Sequence, residues 1–183
     1  MSEPAETAGP VEPLEADEAD AGSDAAPRRR LGLVLAVAAG VLVLDQLAKW
    51  WALTALADGE VHLVGPVWFR LTYNTAGAFG LGGALVPFLS LVALGVVLYL
   101  IVTGAAGGRV AAGIATGLLL GGALGNLSDR LFRSPGLLRG AVVDFVDLRF
   151  WPVFNVADMA ITCGCILFIF LPGGLRARGS RDR

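Results

Sequence analysis

Four long apolar stretches constrain the fold of this 183-residue chain more than any other feature of its sequence. They cover roughly residues 31–51, 86–102, 110–127 and 153–171. A helix rises ~1.5 Å per residue, so each stretch is close to the ~20 residues that cross the ~30 Å hydrocarbon core of a bilayer. A content of 55% hydrophobic residues and a mean hydropathy of +0.68 agree with that length. The sequence therefore predicts a multi-pass membrane protein with four transmembrane helices.

Charge is divided unevenly between one end of the chain and the rest. The formal net charge is -2, but residues 1–27 hold eight of the sixteen acidic residues and neither Lys nor Arg. A segment rich in Ala, Pro and Glu has little to bury. We therefore predict a disordered acidic tail at 1–28, a four-helix transmembrane domain at 29–174 and a basic cytoplasmic tail at 175–183.

Basic residues flank the apolar stretches and predict their orientation. Residues 28–30 are all Arg and precede the first stretch, and four more Arg lie between 176 and 183. By the positive-inside rule both termini are cytoplasmic, which an even number of spans allows. The longer connections at 52–85 and 128–152 then lie outside. The second of them is itself rich in Arg, and binding of a lipid headgroup or of internal carboxylates would explain this departure from the rule.

The first outer connection contains two runs that favour β-structure. Residues 60–64 (EVHLV) and 67–73 (VWFRLTY) are rich in β-branched and aromatic residues, and Gly65 and Pro66 separate them. This pattern predicts a short hairpin or a small sheet. Four tryptophans fall at the same predicted interface, where indole rings prefer to lie. They are Trp50, Trp51, Trp68 and Trp151.

Polar residues of the apolar stretches and their flanks all fall on the predicted outer side. They are Asp45, Lys49, Asn74, Asn126, Asp129, Arg130, Asn155 and Asp158. An ionisable residue within a membrane segment is costly and usually functional. We therefore predict a single site near the outer boundary of the bilayer. A transporter, whose ionisable residues would lie nearer the midplane, and a purely structural subunit are the alternatives.

Asp144 and Asp158 have the most unusual surroundings. Valines and Phe145 flank Asp144, which should raise its pKa, and Asp158 follows Asn155 by one helical turn. Two carboxyls brought together cannot easily both ionise, so one donates a hydrogen bond to a carbonyl while the other takes a proton from attacking water. This chemistry is metal-free peptide hydrolysis, and it makes both aspartates candidate catalytic residues. Carboxyls that only bridge helices are the alternative.

Two further charged pairs accompany these aspartates. Asp45 and Lys49 are four residues apart, so they share a helix face and are expected to form an ion pair. A Lys–Ser catalytic pair is a weaker interpretation, because no Ser lies in a nucleophile-elbow motif. Asp129 directly precedes Arg130, and we predict a scaffold or substrate-positioning role for both.

The sequence gives no sign of a metal or cofactor site. Cys163 and Cys165 lie in the last apolar stretch with no further Cys or His nearby. We expect them to be small buried packing residues rather than metal ligands. We predict no metal, no cofactor and no nucleic-acid partner.

Five motifs in order make the sequence similar to bacterial lipoprotein signal peptidases, the type II signal peptidases. They are DQxxK from Asp45, NTAGAFG from Asn74, GNxxDR from Gly125, VDF from Val143 and FNxAD from Phe154. The resemblance covers nearly all of residues 31–171. The acidic tail is not part of the family pattern, and the stretch 131–140 is longer than in many members.

The resemblance implies an intramembrane aspartic endopeptidase of the bacterial cytoplasmic membrane. Such an enzyme cuts a prolipoprotein just before its diacylglyceryl-modified cysteine. The implied catalytic dyad is Asp144 and Asp158. The implied supporting or lining residues are Asp45, Lys49, Asn74, Asn126 and Arg130, with Asn155 next to the dyad. The implied fold class is an all-α membrane protein of four transmembrane helices with a small extracytoplasmic β-cradle. The implied partners are membrane lipids, prolipoproteins and inhibitors of the globomycin type.

Overall fold

The computed structural model describes residues 25–75, 94, 95, 98, 110–135 and 138–171. Within them lie, in chain order, α1 (Ala25–Ala55), β1 (Val61–Val64), β2 (Val67–Asn74), α2 (Val110–Phe132), β3 (Val142–Asp147) and α3 (Val156–Phe170). The predicted second span at 86–102 lies outside the described residues, except for three helical positions at 94, 95 and 98. The predicted basic tail also lies outside them. So does the acidic tail up to residue 24, since α1 begins at Ala25.

Two of these helices are long and apolar enough to cross a bilayer. The qualifying segments are Leu31–Ala55 in α1 and Val110–Phe132 in α2. α2 continues past the predicted end at 127, so its C-terminal turns carry polar residues. α3 contains 15 residues. At ~1.5 Å per residue it is about 22 Å long, shorter than the ~30 Å hydrocarbon core.

A row of glycines brings α1 against α2. A Cβ on Gly117 would lie 2.7 Å from Cβ of Val37, and one on Gly121 would lie 2.7 Å from the carbonyl oxygen of Ala38. Real side chains do not tolerate such distances, so the two helices approach this closely only because Cβ atoms are absent. These glycines belong to a repeat of one residue in four, which we call the glycine seam: Gly113, Gly117, Gly121 and Gly125.

Gly125, the last member of the seam, and Gly122 allow close contacts at the polar end of α2. A Cβ on Gly125 would lie 2.6 Å from Oδ2 of Asp45 in α1. A Cβ on Gly122 would lie 2.5 Å from the carbonyl oxygen of Ala157, at the start of α3. The absence of side chains here lets a carboxylate and a helix N-terminus reach the same part of α2.

The three strands form one antiparallel sheet in the order β1-β2-β3. The predicted hairpin is confirmed: β1 pairs with β2 around Gly65, whose φ of 53° lies in the left-handed region that glycine adopts easily. β3 was not predicted from the sequence. It pairs with β2 so that Thr72 lies opposite Asp144 and Asn74 opposite Val142. Thr72 and Asn74 face the same side as Asp144, because side chains alternate along a strand.

Aromatic rings attach the sheet to the end of α1. The ring centroid of Trp51 lies 5.3 Å from that of Phe69 in β2 and 6.2 Å from that of Phe145 in β3, both edge-on. Ala52 and Leu56 are buried with Phe145 in the same cluster. Edge-on aromatic pairs add to the stabilisation from burial. This cluster fixes the sheet at the C-terminal end of α1, where Asp45 and Lys49 approach α2.

Arg149 joins the loop after β3 to the hairpin. Its guanidinium lies 2.8 Å from Oε1 of Glu60, 3.5 Å from Oδ2 of Asp147 and 4.1 Å from the ring centroid of Trp68. Its φ of 66° is unusual for a residue other than glycine. Of the two explanations for arginines in this outer segment, internal carboxylates account for Arg149.

Candidate active site

A buried ammonium group connects α1 to α2. Nζ of Lys49 lies 2.8 Å from Oδ2 of Asp45, 2.9 Å from Oδ2 of Asp129 and 3.1 Å from Oδ1 of Asn126. The side chains of Lys49 and Asp45 are 0% exposed. The predicted pairing of Asp45 with Lys49 is confirmed. All three ammonium protons have acceptors, which argues against Lys49 as a free general base.

Asp129 forms ion pairs with residues other than its neighbour in sequence. Its ion pairs among the described residues are with Lys49 and, at 2.7 Å, with Nε of Arg133, and its Oδ2 also accepts from the backbone N–H of Val143. Arg130, its neighbour in sequence, makes no ion pair with it among the described residues. Consecutive residues on a helix point in directions about 100° apart, whereas residues four apart lie on one face. Arg133 therefore belongs to this network, and its spacing from Asp129 is the signal that could have identified it.

Gln46 is a second residue that sequence reasoning left out of the site. Its Nε2 donates to Oδ2 of Asp45 at 3.2 Å, to the carbonyl of Gly125 at 3.3 Å and to Oδ1 of Asp129 at 3.4 Å. Gln46 thereby connects the two acids that hold Lys49. Its place in the DQxxK motif is the only sequence signal for this role.

Asn155 begins α3 and touches both candidate catalytic aspartates. Its Oδ1 accepts from the backbone N–H of Asp158 at 3.0 Å, while a carboxyl oxygen of Asp158 accepts from the backbone N–H of Asn155 at 3.3 Å. This reciprocal arrangement is a capping box. Asn155 is thus the residue before the first turn of α3, not part of that turn as predicted. Its Nδ2 donates to Oδ1 of Asp144 at 2.6 Å.

The backbone around Phe154 places Asn155 next to β3. The N–H groups of Phe145 and Val146 donate to the carbonyl of Phe154, and the N–H of Phe154 donates back to Val146. Asp45 contributes from α1, because its Oδ1 accepts from the N–H of Ala157 at 2.9 Å. A carboxylate is favourable at a helix N-terminus, where backbone N–H groups lack partners.

Asp144 lies at the meeting point of β2, β3 and α3. Its Oδ2 accepts from Nδ2 of Asn74 at 3.0 Å and its Oδ1 accepts from Asn155. The residue is 1% exposed. Burial is the largest effect and raises the pKa of Asp144 from 3.8 to about 6; the hydrogen bond from Asn74 opposes this and the charge of Asp158 adds to it. Sequence analysis predicted a raised pKa for this carboxyl, in agreement with the site.

Asn126 completes the link between the charged pair and the aspartates. Its Oδ1 accepts from Lys49 and also, at 3.1 Å, from Nδ2 of Asn155. Its Nδ2 donates to Oδ1 of Asp158 at 2.8 Å. One continuous network therefore contains eight of the predicted site residues: Asp45, Lys49, Asn74, Asn126, Asp129, Asp144, Asn155 and Asp158.

Arg130 is the ninth predicted residue, and it contributes charge rather than an ion pair. It is 5% exposed, and its Nη1 donates to the carbonyl of Gly140 at 3.4 Å. Its Nε is buried and has no hydrogen-bond partner among the residues that the structure describes. The carboxylates of Asp144, Asp129 and Asp158 all act electrostatically on this guanidinium.

Comparison with known proteins identifies this arrangement. A family model described as signal peptidase (SPase) II matches residues 37–171, well over half of the chain. The chain belongs to the signal peptidase II family. All nine predicted site residues lie within the matched segment of this signal peptidase II chain.

Curated relatives agree with the family model. The chain is 46% identical over 168 residues to the lipoprotein signal peptidase of Mycolicibacterium smegmatis, covering 91% of this chain and 72% of that protein. It is 44% identical over 157 residues to that of Rhodococcus jostii, covering 84% and 79%. It is 40% identical over 174 residues to that of Mycobacterium tuberculosis, covering 92% and 86%. The resemblance inferred from the five motifs is therefore confirmed.

Solved structures share the fold. One bacterial membrane enzyme, determined by the in meso method at 2.3 Å, superposes with a TM-score of 0.67 and 26% identity over 83% of this chain and 95% of that chain. A second, at 1.9 Å, gives a TM-score of 0.63 and 28% identity over 75% and 90%. This signal peptidase II family chain thus has the fold of helical membrane enzymes, with apolar spanning helices and a small three-stranded sheet.

The described part of the chain contains no group of three or more His, Cys, Asp or Glu residues arranged to hold a metal ion. Cys163 and Cys165 are both exposed on α3. The expectation that they are buried packing residues was wrong: the buried position is Gly164 between them, which packs against Ala115 and Leu119 of α2. Carboxylates in the site are held by side-chain amides, the Lys49 ammonium and the Arg133 guanidinium.

Proposed function

We propose that this protein is an intramembrane aspartic endopeptidase that removes signal peptides from prolipoproteins. It cleaves before the diacylglyceryl-modified cysteine, using Asp144, Asp158 and a water molecule. Membership of the signal peptidase II family supports the substrate class. The observation that carries the mechanism is Asn155, which hydrogen-bonds Asp144 through its side chain and Asp158 through its backbone N–H.

Asp144 holds the proton of the pair when substrate is bound. Its pKa of about 6, raised mainly by burial, brings protonation of this carboxyl closer to neutral pH. Docking of a substrate removes further water from the site, which raises the pKa of a buried carboxyl again. The protonated Asp144 donates to the scissile carbonyl oxygen and polarises it.

Asp158 is the general base. It takes a proton from water while the water oxygen bonds to the carbonyl carbon, and the carbonyl oxygen takes the proton of Asp144. The resulting tetrahedral diol collapses when the C–N bond breaks. Asp158 then gives its proton to the leaving nitrogen, and a diol hydroxyl returns a proton to Asp144. The pair ends with one proton, as it began, and titrates as a unit.

Surrounding residues orient this pair. Asn74 and Asn155 hold the two oxygens of Asp144, while Asn126 and the backbone of Asn155 hold those of Asp158. Arg130 adds positive charge that favours one ionised carboxyl. Preorganised donors of this kind need no rearrangement as charge develops.

We also propose the membrane arrangement. The site residues lie at the C-terminal ends of α1 and α2 and at the N-terminus of α3, which is one end of an up-and-down bundle. Four spans, cytoplasmic termini and a site at the outer face of the bacterial cell membrane account for this common position. The domain spans 29–174, between the acidic and basic tails, and a cyclic peptide of the globomycin type would compete with substrate there.

The experiment compares Asp144→Asn, Asp158→Asn and the control Asp147→Asn, each purified in detergent and assayed on a lipidated precursor. Asp147 lies on the same strand as Asp144, but it pairs with Arg70 and Arg149 rather than with the asparagines. We expect cleavage to be lost in the first two variants and retained in the control. Cleavage by either Asp144→Asn or Asp158→Asn removes that carboxyl from the mechanism.

A further inference from the structure

We infer that Lys49 is a positioning residue for the proposed catalytic pair, acting through the side-chain amide of Asn126. The inference rests on the proposed function. Lys49 gives its hydrogen bonds to Asp45, Asp129 and Asn126, and so it reaches the general base Asp158 only through an intermediate group.

The ammonium fixes which way the Asn126 amide points. The oxygen and nitrogen of an amide have nearly the same shape, so their orientation is decided by neighbouring donors and acceptors. A lysine ammonium is only a donor. The atom of Asn126 that lies 3.1 Å from Nζ of Lys49 must therefore be Oδ1. Lys49 is fully buried, so bulk water does not compete for this contact.

A fixed Asn126 gives the other two amide contacts their direction. Its Nδ2 is left facing Oδ1 of Asp158, at 2.8 Å, as a donor. Its Oδ1 accepts from Nδ2 of Asn155, and that same Nδ2 donates to Asp144. Without Lys49, only Nδ2 of Asn155 opposes rotation of the Asn126 amide by half a turn, which would present its oxygen to Asp158. Two oxygens facing each other would disfavour the ionised carboxyl that takes the proton from water.

Other charges near Asp158 do not provide this orientation. Arg130 acts on both aspartates through space from α2, and the charge of Asp158 raises the pKa of Asp144 in β3. In α3 itself, the nearest polar group is the Asn155 cap. Asp129, on α2, is engaged by Lys49 and Arg133. Lys49 is the charged group in hydrogen-bond contact with the amide that reaches Asp158.

The test removes the ammonium without leaving an uncompensated charge. The double variant Asp45→Asn/Lys49→Met loses one positive and one negative group, and Asp129 keeps Arg133. Its reference is Asp45→Asn alone, with cleavage of a lipidated precursor followed from pH 5 to 9. We expect kcat to fall about tenfold and the acid limb of its pH profile to move up by about one pH unit, because an N–H donor to the ionised base is lost.

A coupling measurement separates positioning from a merely structural role. Asn126→Leu, made in both backgrounds, removes the amide through which Lys49 acts. We expect the loss of kcat in Asp45→Asn/Lys49→Met/Asn126→Leu to be no greater than in Asp45→Asn/Asn126→Leu. Losses that multiply, or an acid limb that stays in place in the Lys49→Met background, overturn the inference. The proposed function fails separately, through activity in Asp144→Asn or Asp158→Asn.

A second variant keeps the inference testable should the double variant not fold. Asn126→Asp leaves Lys49 with three acceptors and adds one negative charge to the buried network. It replaces the donor facing Asp158 with a carboxylate oxygen. We expect the acid limb of the kcat profile to move to higher pH in this variant as well. A normal kcat with the acid limb in its wild-type position would contradict the proposed orientation of the Asn126 amide.

Discussion

Asp144 destabilises the fold when it is ionised, and its replacement by Asn should stabilise the protein in a pH-dependent way. Burial raises the pKa of this carboxyl from 3.8 to about 6. A difference of about 2 pH units corresponds to about 3 kcal/mol of free energy. Because the folded-state pKa is the higher one, the folded chain holds the proton more tightly than the unfolded chain. The contribution to stability is therefore complete below pH 4 and is lost as the pH rises through 6.

Unfolding of the wild-type chain and Asp144→Asn in the same detergent micelles at pH 5, 6, 7 and 8 measures this effect. An asparagine loses one acceptor towards Asn74 or Asn155, which costs about 1 kcal/mol at every pH. The difference in unfolding free energy should nevertheless shift in favour of the variant by about 1–1.5 kcal/mol between pH 5 and pH 8, because about half of the ~3 kcal/mol is already lost at pH 5.

The matched control replaces a second aspartate of the same strand. Asp147→Asn removes a buried carboxylate that is paired with Arg70 and Arg149, so it should not stabilise the chain at pH 8. A difference between wild type and Asp144→Asn that stays constant from pH 5 to 8 would show that Asp144 ionises at its ordinary pH. The assignment of the pair's proton to Asp144 in the substrate complex would then be lost.

The remaining predictions concern packing, the overlooked glutamine and metal dependence. Gly122→Ala would place a Cβ 2.5 Å from the carbonyl oxygen of Ala157, so it should lower the unfolding free energy by about 1–3 kcal/mol and reduce cleavage. The control Gly40→Ala, with no described atom within 4 Å of the new methyl, should change the unfolding free energy by less than about 1 kcal/mol. Equal effects of the two variants would contradict the close α2–α3 contact. Gln46→Leu should lower the unfolding free energy by about 1 kcal/mol while cleavage persists, because its bonds to Asp45 and Asp129 are long; complete inactivity would give Gln46 a larger role. Dialysis against a chelator should leave cleavage unchanged, and a loss restored by added metal would rule out the proposed two-carboxyl mechanism.

Features that depend on local spacing could be predicted from the sequence. The hairpin follows from two β-prone runs around Gly65, and the Asp45–Lys49 ion pair follows from a separation of four on a helix. Membership of the signal peptidase II family was evident from five ordered motifs. The convergence of polar residues also follows from spacing, because they lie at the C-terminal ends of α1 and α2 and at the N-terminal end of α3.

Features that depend on tertiary pairing could not be predicted in this way. β3 carries two aspartates in six residues, a composition that disfavours a strand, and it forms because β2 supplies the pairing edge. Asp129 finds Arg133 and Lys49 rather than its neighbour Arg130, since helix direction outweighs adjacency in sequence. Asn155 serves as a cap because Phe154 pairs with Val146, a contact that only the folded chain provides.

The glycine seam alone does not determine how far α1 is shifted along its axis relative to α2. Its members recur every four residues, so sliding α1 by one turn, about 5.4 Å, would again set small surfaces against the opposite backbone. The buried ammonium of Lys49 contacts Asp129 and Asn126, which lie within one turn of each other on α2. It can reach these acceptors at only one axial position of α1. A cation in this position selects one alignment among several that van der Waals contact alone would accept, and the same choice that sets the height of α1 also sets where Asp45 meets the start of α3.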